Sequence, residues 1–264
     1  MVNDSTSRNL WSWLLVPIVL IVAVAAWFSF DPGFRNGGSI LNVVVDGPRN
    51  TFNGWIRNYL LEHPEVIVES MRRLEERQQA TVQGEEQNIL AARADEIFRA
   101  ADSPVGGNPD GDVTMVEFFD YNCPYCRRVA PIMIETEDAD PKLRIVYKEF
   151  PILGPNSTLA AKAALAVHRQ GKYPAFHKML MQDRAVVNEK RVMDAAAALG
   201  VDVERMKADM RDPEIEAMID RNLALATALR INGTPGFVIG ERILRGATDL
   251  KTLQAMISDA RKGQ

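Results

Sequence analysis

The only two cysteines of this 264-residue chain, Cys123 and Cys126, stand three positions apart in the stretch VTMVEFFDYNCPYCRRVAP, Val113 to Pro131. Thiols at that spacing suit two kinds of chemistry, gripping a metal ion or cycling between dithiol and disulfide. A zinc site usually draws four ligands from Cys, His or carboxylate in paired clusters, and here the second pair is missing. The three histidines, His63, His168 and His177, are scattered and read as surface or packed residues. No HExxH, P-loop or nucleophile-elbow pattern occurs. Neither a resident metal nor any other cofactor is expected.

Redox chemistry fits better. Cysteines at i and i+3 on the first turn of a helix lie close enough for an unstrained disulfide. Pro124 suits that first turn, where its missing N–H costs nothing. Cys123 then sits at the helix N-terminus, where unpaired N–H groups and the helix dipole stabilise a thiolate. Favouring the reduced form makes the oxidised form a readier donor of its disulfide. Cys126, one turn deeper, is the expected resolving thiol. Glu117 shares a strand face with Val113, Met115 and Phe119, and from there could relay the Cys126 proton through a water. The plain alternative is a glutamate at a strand edge.

The elements that must hold these residues follow from pattern. Val113–Phe119 reads as a strand, Pro124 opens a helix, and residues around Arg144–Phe150 form a second strand, giving a βαβ unit. Residues 156–230 carry helices only, three of them: one capped by Asn156 or Ser157 and ending at Gly171, one capped by Asn188 and ending at Gly200, and a long last one over PEIEAMIDRNLALATALR. NGTPGFVIGERILRGA reads as a loop and hairpin, and Asp249 opens a closing helix that reaches about Arg261. In GTPG, Pro235 is the best candidate for a cis bond, although the motif alone reads as an ordinary turn.

The N-terminal part differs in character. Residues 11–30, WSWLLVPIVLIVAVAAWFSF, are uncharged and long enough to cross a bilayer as a helix. Trp11 and Trp13 sit at one end and Trp27, Phe28 and Phe30 at the other, as interfacial anchors do. A signal peptide cleaved after Ala23–Ala25 is the rival. Both place the rest of the chain outside the cytoplasm, in an oxidising compartment. Residues 31–54 hold five glycines and two prolines and read as a tether, with ILNVVV (Ile40–Val45) a possible strand. Residues 55–83 form a helical arm in which Ile67, Met71 and Leu74 line one face, suited to self-association or to packing back on the chain. A second helix is expected from Glu85 to Ala101. Net charge is −4 with no basic block, so no nucleic-acid partner is expected.

EFFDYNCPYC, the helical insertion and NGTPGFVIG together resemble the bacterial DsbA-like thiol–disulfide oxidoreductases of the thioredoxin superfamily, over about residues 85–264. Tyr125 and Thr234 resemble the copper-tolerance (ScsC-like) branch, where DsbA carries histidine and valine. The resemblance implies an α/β thioredoxin fold with an all-helical insertion, here preceded by the membrane or signal segment and the arm. It implies that Cys123 attacks and Cys126 resolves, that Pro235 is cis and faces them, and that Glu117 matches the family's buried acid. Thr234 would offer backbone hydrogen bonds to an extended substrate, beside Pro124 and Tyr125. An arm that oligomerises the protein is known in that branch. Tyr125 in place of histidine removes one positive charge near Cys123, so a weaker oxidant than DsbA is expected.

The expected protein is a periplasm-facing, membrane-tethered oxidoreductase, oxidase or isomerase, acting on cysteines of exported proteins with a membrane redox partner. The alternative is a non-enzymatic protein that binds Cu(I) through the same two thiolates.

Overall fold

The computed structural model describes the backbone of residues 40–183 and 185–263, with side chains described from residue 51 onward. The segment 11–30 lies outside the described residues. Among the described residues no helix is long and apolar enough to cross a membrane. The chain divides into two units, one ending at Glu75 and one beginning at Glu76.

The first unit is helical. Helix α1 runs Ile40–Glu62, which corrects the tether expected over 31–54 and the strand considered at Ile40–Val45. Gly33, Gly37 and Gly38 all precede Ile40, and the isolated Gly47 and Gly54 cost a helix only about 1 kcal/mol each. The helix stops at Glu62 because His63 precedes Pro64, and that position disfavours helical backbone. Phe52, Trp55 and Tyr59 stack in a row along its exposed face, with ring centroids 6.4 and 5.7 Å apart. Helix α2, Glu65–Ala92, continues through Gly84, so the arm and the helix expected from Glu85 are one element. Ile67, Met71 and Leu74, on α2, are also exposed.

The second unit opens with the end of α2 and the short α3, Ala94–Phe98. A five-stranded sheet follows, built from β1 Val105–Gly107, β2 Val113–Phe119, β3 Leu143–Glu149, β4 Gly236–Ile239 and β5 Arg242–Arg245, in the order β1-β3-β2-β4-β5. β2 and β3 pair in parallel around α4, Pro124–Ala139, and the other pairings are antiparallel. This is the arrangement of a thioredoxin fold. β1 falls in a stretch read only as turns. A three-residue edge strand has no room for an alternating pattern, and it ends at Gly107, whose φ of 64° and close approach to the Leu143 carbonyl exclude a side chain.

Five helices, not three, fill the stretch between β3 and β4. They are α5 Pro155–His168, α6 Tyr173–Gln182, α7 Glu189–Ala198, α8 Val203–Asp209 and α9 Pro213–Ala228. Asn188, Asp202 and Asp212 cap α7, α8 and α9 through their side chains, whereas α5 starts at Pro155 after Gly154, so neither Asn156 nor Ser157 is its cap. α10, Leu250–Lys262, is capped by Asp249.

Both faces of the sheet are covered, so the strands read as near-continuous apolar runs. On one face Met115, Phe119, Ile145 and Phe237 pack under α4, α10 and the inserted helices. On the other, Val116, Phe118, Val146 and Val238 meet Leu90, Ile97 and the end of α9. The period of two along β2 sets Glu117 on the first face, beneath α4.

Candidate active site

β2 delivers the chain to a tight turn, Asp120–Tyr121–Asn122, and then to α4. Cys123 is the N-cap residue with extended backbone, and Pro124 occupies the first turn. The turn is pinned by Asp120, which is buried. Its carboxylate accepts hydrogen bonds from the backbone N–H groups of Asn122 (2.7 Å), Ile152 (2.9 Å) and Leu153 (3.0 Å). Asn122 in turn accepts from the Val187 N–H at 2.8 Å and donates to the Ser157 hydroxyl at 3.3 Å. Asp120→Ala strands three backbone donors at once. It is expected to cost about 3 kcal/mol, read as a lower denaturant midpoint with an unchanged slope.

Cys123 and Cys126 are both free thiols and both buried, while Tyr125 between them is half exposed. The Cys123 sulfur lies 3.2 Å from the Thr234 carbonyl oxygen, to which it donates when protonated, and the Thr234–Pro235 peptide bond is cis. Gly236 follows, where a Cβ would lie 2.6 Å from a methyl of Ile231, so a side chain there would push the loop off its seat. Thr234, which precedes Pro235, thus lies against Cys123, whose next residues along α4 are Pro124 and Tyr125. The Arg128 guanidinium lies 5.2 Å from the Tyr125 ring centre, a cation that the comparison with a histidine at that place did not anticipate.

The two thiols are electrostatically unlike. Cys123 is lowered to about 5, chiefly by a hydrogen bond from the Cys126 thiol, then by the Thr234 side chain and the N–H groups of Cys126 and Tyr125. Cys126 is pushed far up by burial, by Cys123 and by the charge of Glu117. At neutral pH one sulfur is a thiolate and its neighbour a thiol that donates to it.

Glu117 is buried, and burial alone raises its carboxyl to about 8. It shares with Cys126 a cavity of about 220 Å³ whose walls include Met133, Tyr147, His177 and Met181. His177 is held down to about 3 by burial and is therefore a neutral imidazole. The sequence contained no signal for His177, Tyr147 or the buried Glu149 as neighbours of this site.

A dithiol at a helix N-terminus, beside the loop that carries a cis proline into the neighbouring strand of a thioredoxin-type sheet, defines a class of proteins built around one redox-active sulfur pair. Residues 114–258 match the DsbA-like thioredoxin domain, and residues 49–81 match the N-terminal domain of the copper resistance protein ScsC. The chain belongs to the DsbA-like thioredoxin-domain family. A thioredoxin-like oxidoreductase from Silicibacter pomeroyi is 48% identical, covering 64% of this chain and 97% of its own, with a TM-score of 0.62. Proteus mirabilis ScsC in a transitional conformation is 27% identical, covering 83% of this chain and 99% of its own, with a TM-score of 0.63. A Na(+)/H(+) antiporter NhaA from Herminiimonas arsenicoxydans is 30% identical over 161 residues, 60% of this chain. The chain spans about a quarter of the length of that antiporter and of the two other antiporters it matches beside it.

Proposed function

We propose that this chain is a thiol–disulfide oxidoreductase for cysteines of exported proteins, working in the periplasm from a membrane anchor at residues 11–30. The observation that carries the reading is Cys123 at the N-terminus of α4, its sulfur 3.2 Å from the Thr234 carbonyl beside the cis Pro235 bond, with Cys126 buried one turn deeper. Starting from the dithiol, the Cys123 thiolate attacks a substrate disulfide. A Cys123–substrate bond forms, the substrate S–S bond breaks, and the departing substrate sulfur takes up a proton. Cys126 then loses its proton toward Glu117 and attacks Cys123, releasing the substrate as a second thiol. Two electrons pass to the substrate and the enzyme ends as a disulfide. Oxidation of a substrate dithiol is the same sequence in reverse, and a membrane redox partner resets the pair.

Thr234 and the cis Pro235 place backbone groups across from Cys123, where an extended substrate segment pairs with them. Tyr125 and Pro124 form the opposite lip. Cu(I) capture by the same sulfurs fits less well, because it requires both thiols ionised and Cys126 strongly resists that.

The exposed Phe52, Trp55, Tyr59, Ile67, Met71 and Leu74 give α1 and α2 a surface suited to further copies of the chain. An assembly of several active sites serves disulfide isomerisation. The test is reactivation of a protein with scrambled disulfides, in mild reducing buffer, by the full-length chain and by residues 76–264. Full-length protein is expected to be oligomeric and to reactivate it at least tenfold faster per site. Equal rates from a monomeric full-length chain would leave an oxidase with a helical spacer.

A further inference from the structure

Behind Cys123, Cys126 and Glu117 lies a buried polar chain that disulfide exchange does not by itself require. Glu149, at the end of β3, accepts hydrogen bonds on Oε1 from the hydroxyls of Tyr173 at 2.7 Å and Tyr121 at 3.2 Å. The Tyr121 oxygen also lies 3.3 Å from Nδ1 of His177. The His177 ring is fixed in place, stacked on Tyr173 at 5.7 Å and edge-on to Phe119 at 4.7 Å.

A phenol carries one proton. Oε1 of Glu149 receives both phenols, so we assign the Tyr121 proton to that bond, and its oxygen then accepts from His177. That places the imidazole proton on Nδ1 and leaves Nε2 with a free lone pair. His177 lines the cavity that Glu117 and Cys126 share, and a space of about 220 Å³ exceeds the volume of roughly 30 Å³ that one water occupies in the liquid.

The geometry points to His177 as a positioning residue for proton transfer from Cys126: its Nε2 lone pair orients a cavity water whose other hydrogen meets Glu117 and whose oxygen meets the Cys126 thiol. This inference rests on the disulfide-exchange reading above. When Cys126 passes its proton to that water, the water passes one of its own to Glu117. One proton moves, no electron moves, and the Cys126 thiolate is ready to attack Cys123. The Glu149–Tyr121 pair acts by fixing the tautomer. With Nε2 protonated instead, the imidazole would donate to the water oxygen and compete there with the Cys126 thiol.

The groups facing this site come from every element packed around it. β2 and the turn after it bring Glu117, Asp120 and Tyr121, α4 brings Cys126, Glu137 and Asp138, α6 brings Tyr173, His177 and Lys178, and β3 brings Tyr147 and Glu149. Burial keeps His177 neutral throughout the range in which Glu117 titrates, so the imidazole acts as an acceptor and does not compete for the proton.

The test uses the full-length reduced protein, mixed rapidly with an aromatic disulfide whose released thiolate is coloured. Attack by Cys123 releases the first thiolate and resolution by Cys126 releases the second, so the two steps are read separately. His177→Phe keeps the ring stacking and removes both nitrogens. It is expected to leave the first phase within about twofold, slow the second at least tenfold, and move its pH midpoint up by about one unit. His177→Gln, which offers an acceptor near the same place, restores most of the second phase. Unchanged second-phase rates and pH midpoint in His177→Phe, or equal slowing of both phases, would overturn the proposal. Absence of any second phase in the unaltered protein would instead overturn the disulfide-exchange reading. Should His177→Phe not fold, nitrogen NMR of the unaltered protein decides: a proton on Nδ1 and a bare Nε2 between pH 5 and 9 is expected, and the opposite tautomer sinks the idea.

Discussion

Cys126→Ala is expected to leave the protein covalently joined to its substrates, with turnover down by about three orders of magnitude. Cys123 can still attack, because the Thr234 side chain and the N–H groups of Cys126 and Tyr125 remain to stabilise its thiolate. What disappears is the sulfur that releases the mixed disulfide. The variant also loses the largest stabiliser of the Cys123 thiolate, the hydrogen bond from the Cys126 thiol. The pH midpoint for alkylation of Cys123 should therefore rise from about 5, while staying below that of an ordinary cysteine because the helix N-terminus is intact.

The converse variant is not its mirror image. In Cys123→Ala the remaining Cys126 is still buried and still faces Glu117, so its thiol stays protonated. No mixed disulfide should form. Non-reducing gels of cells producing either variant check both statements together. Adducts from neither variant would remove the mixed-disulfide mechanism. Adducts from both would show that the two sulfurs are less unequal than their surroundings require.

How much of this was legible in the sequence depends on how local each feature is. Cys123, Pro124 and Cys126 declare a helix N-terminus with two thiols on its first turn, because cap, proline and spacing all lie within four residues. The Asn188 and Asp249 caps were legible for the same reason. A period of two groups Glu117 with Val113, Met115 and Phe119, but β2 is buried on both faces, so the pattern alone left open a glutamate at a strand edge. The partners of the cavity were not legible. Tyr121 meets Glu149 across 28 positions and His177 across 56, and nothing in a strand end or a helical histidine announces either meeting. The pairing of Thr234 with Cys123 spans 111 positions and was expected only through the family resemblance. Errors fell where punctuation misleads. Gly47, Gly54 and Gly84 read as breaks, yet each lies within a helix. Of the extra helices, α8 is only seven residues long, and α6, as long as the α7 that was read, opens after Lys172 with no side-chain cap to announce it.

Glu117→Gln should make the protein more stable and less active at the same time. The folded-state carboxyl sits at about 8 against 4.5 for the free side chain. Between those values the folded protein binds the proton more tightly than the unfolded chain does. Stability contributed by this group is therefore fully present below pH 4.5 and is lost as pH rises to about 8. Glutamine keeps the shape and cannot ionise. Its advantage over the parent should grow by about 1.4 kcal/mol per pH unit across that window and then level off. At pH 7 the gap is on the order of 3 kcal/mol. Slopes from His177, Glu149 and Cys123 are common to both proteins and cancel in the difference, which is why the comparison is made variant against parent.

The kinetic cost falls on one step. Without a carboxylate to receive it, the Cys126 proton has no buried acceptor, and resolution should slow at least tenfold while Cys123 attack is nearly unaffected. Oxidised and reduced samples separate the two buried contributions further. The Cys123 thiolate, at about 5 against 9.0 for a free thiol, stabilises only the reduced protein, by an amount that is complete above pH 9 and vanishes as pH falls through 5. Reduced protein should therefore gain on oxidised protein as pH rises from 5 to 9, with or without Glu117. Chemical denaturation of the four samples at several pH values reads both slopes. A variant–parent gap that does not change with pH would mean Glu117 is already ionised when folded, and the acceptor of the Cys126 proton would have to be sought elsewhere in the cavity. A gap that grows as expected, with resolution slowed, identifies a carboxylate whose burial costs stability and whose raised pKa suits it to take a proton from a resisting thiol.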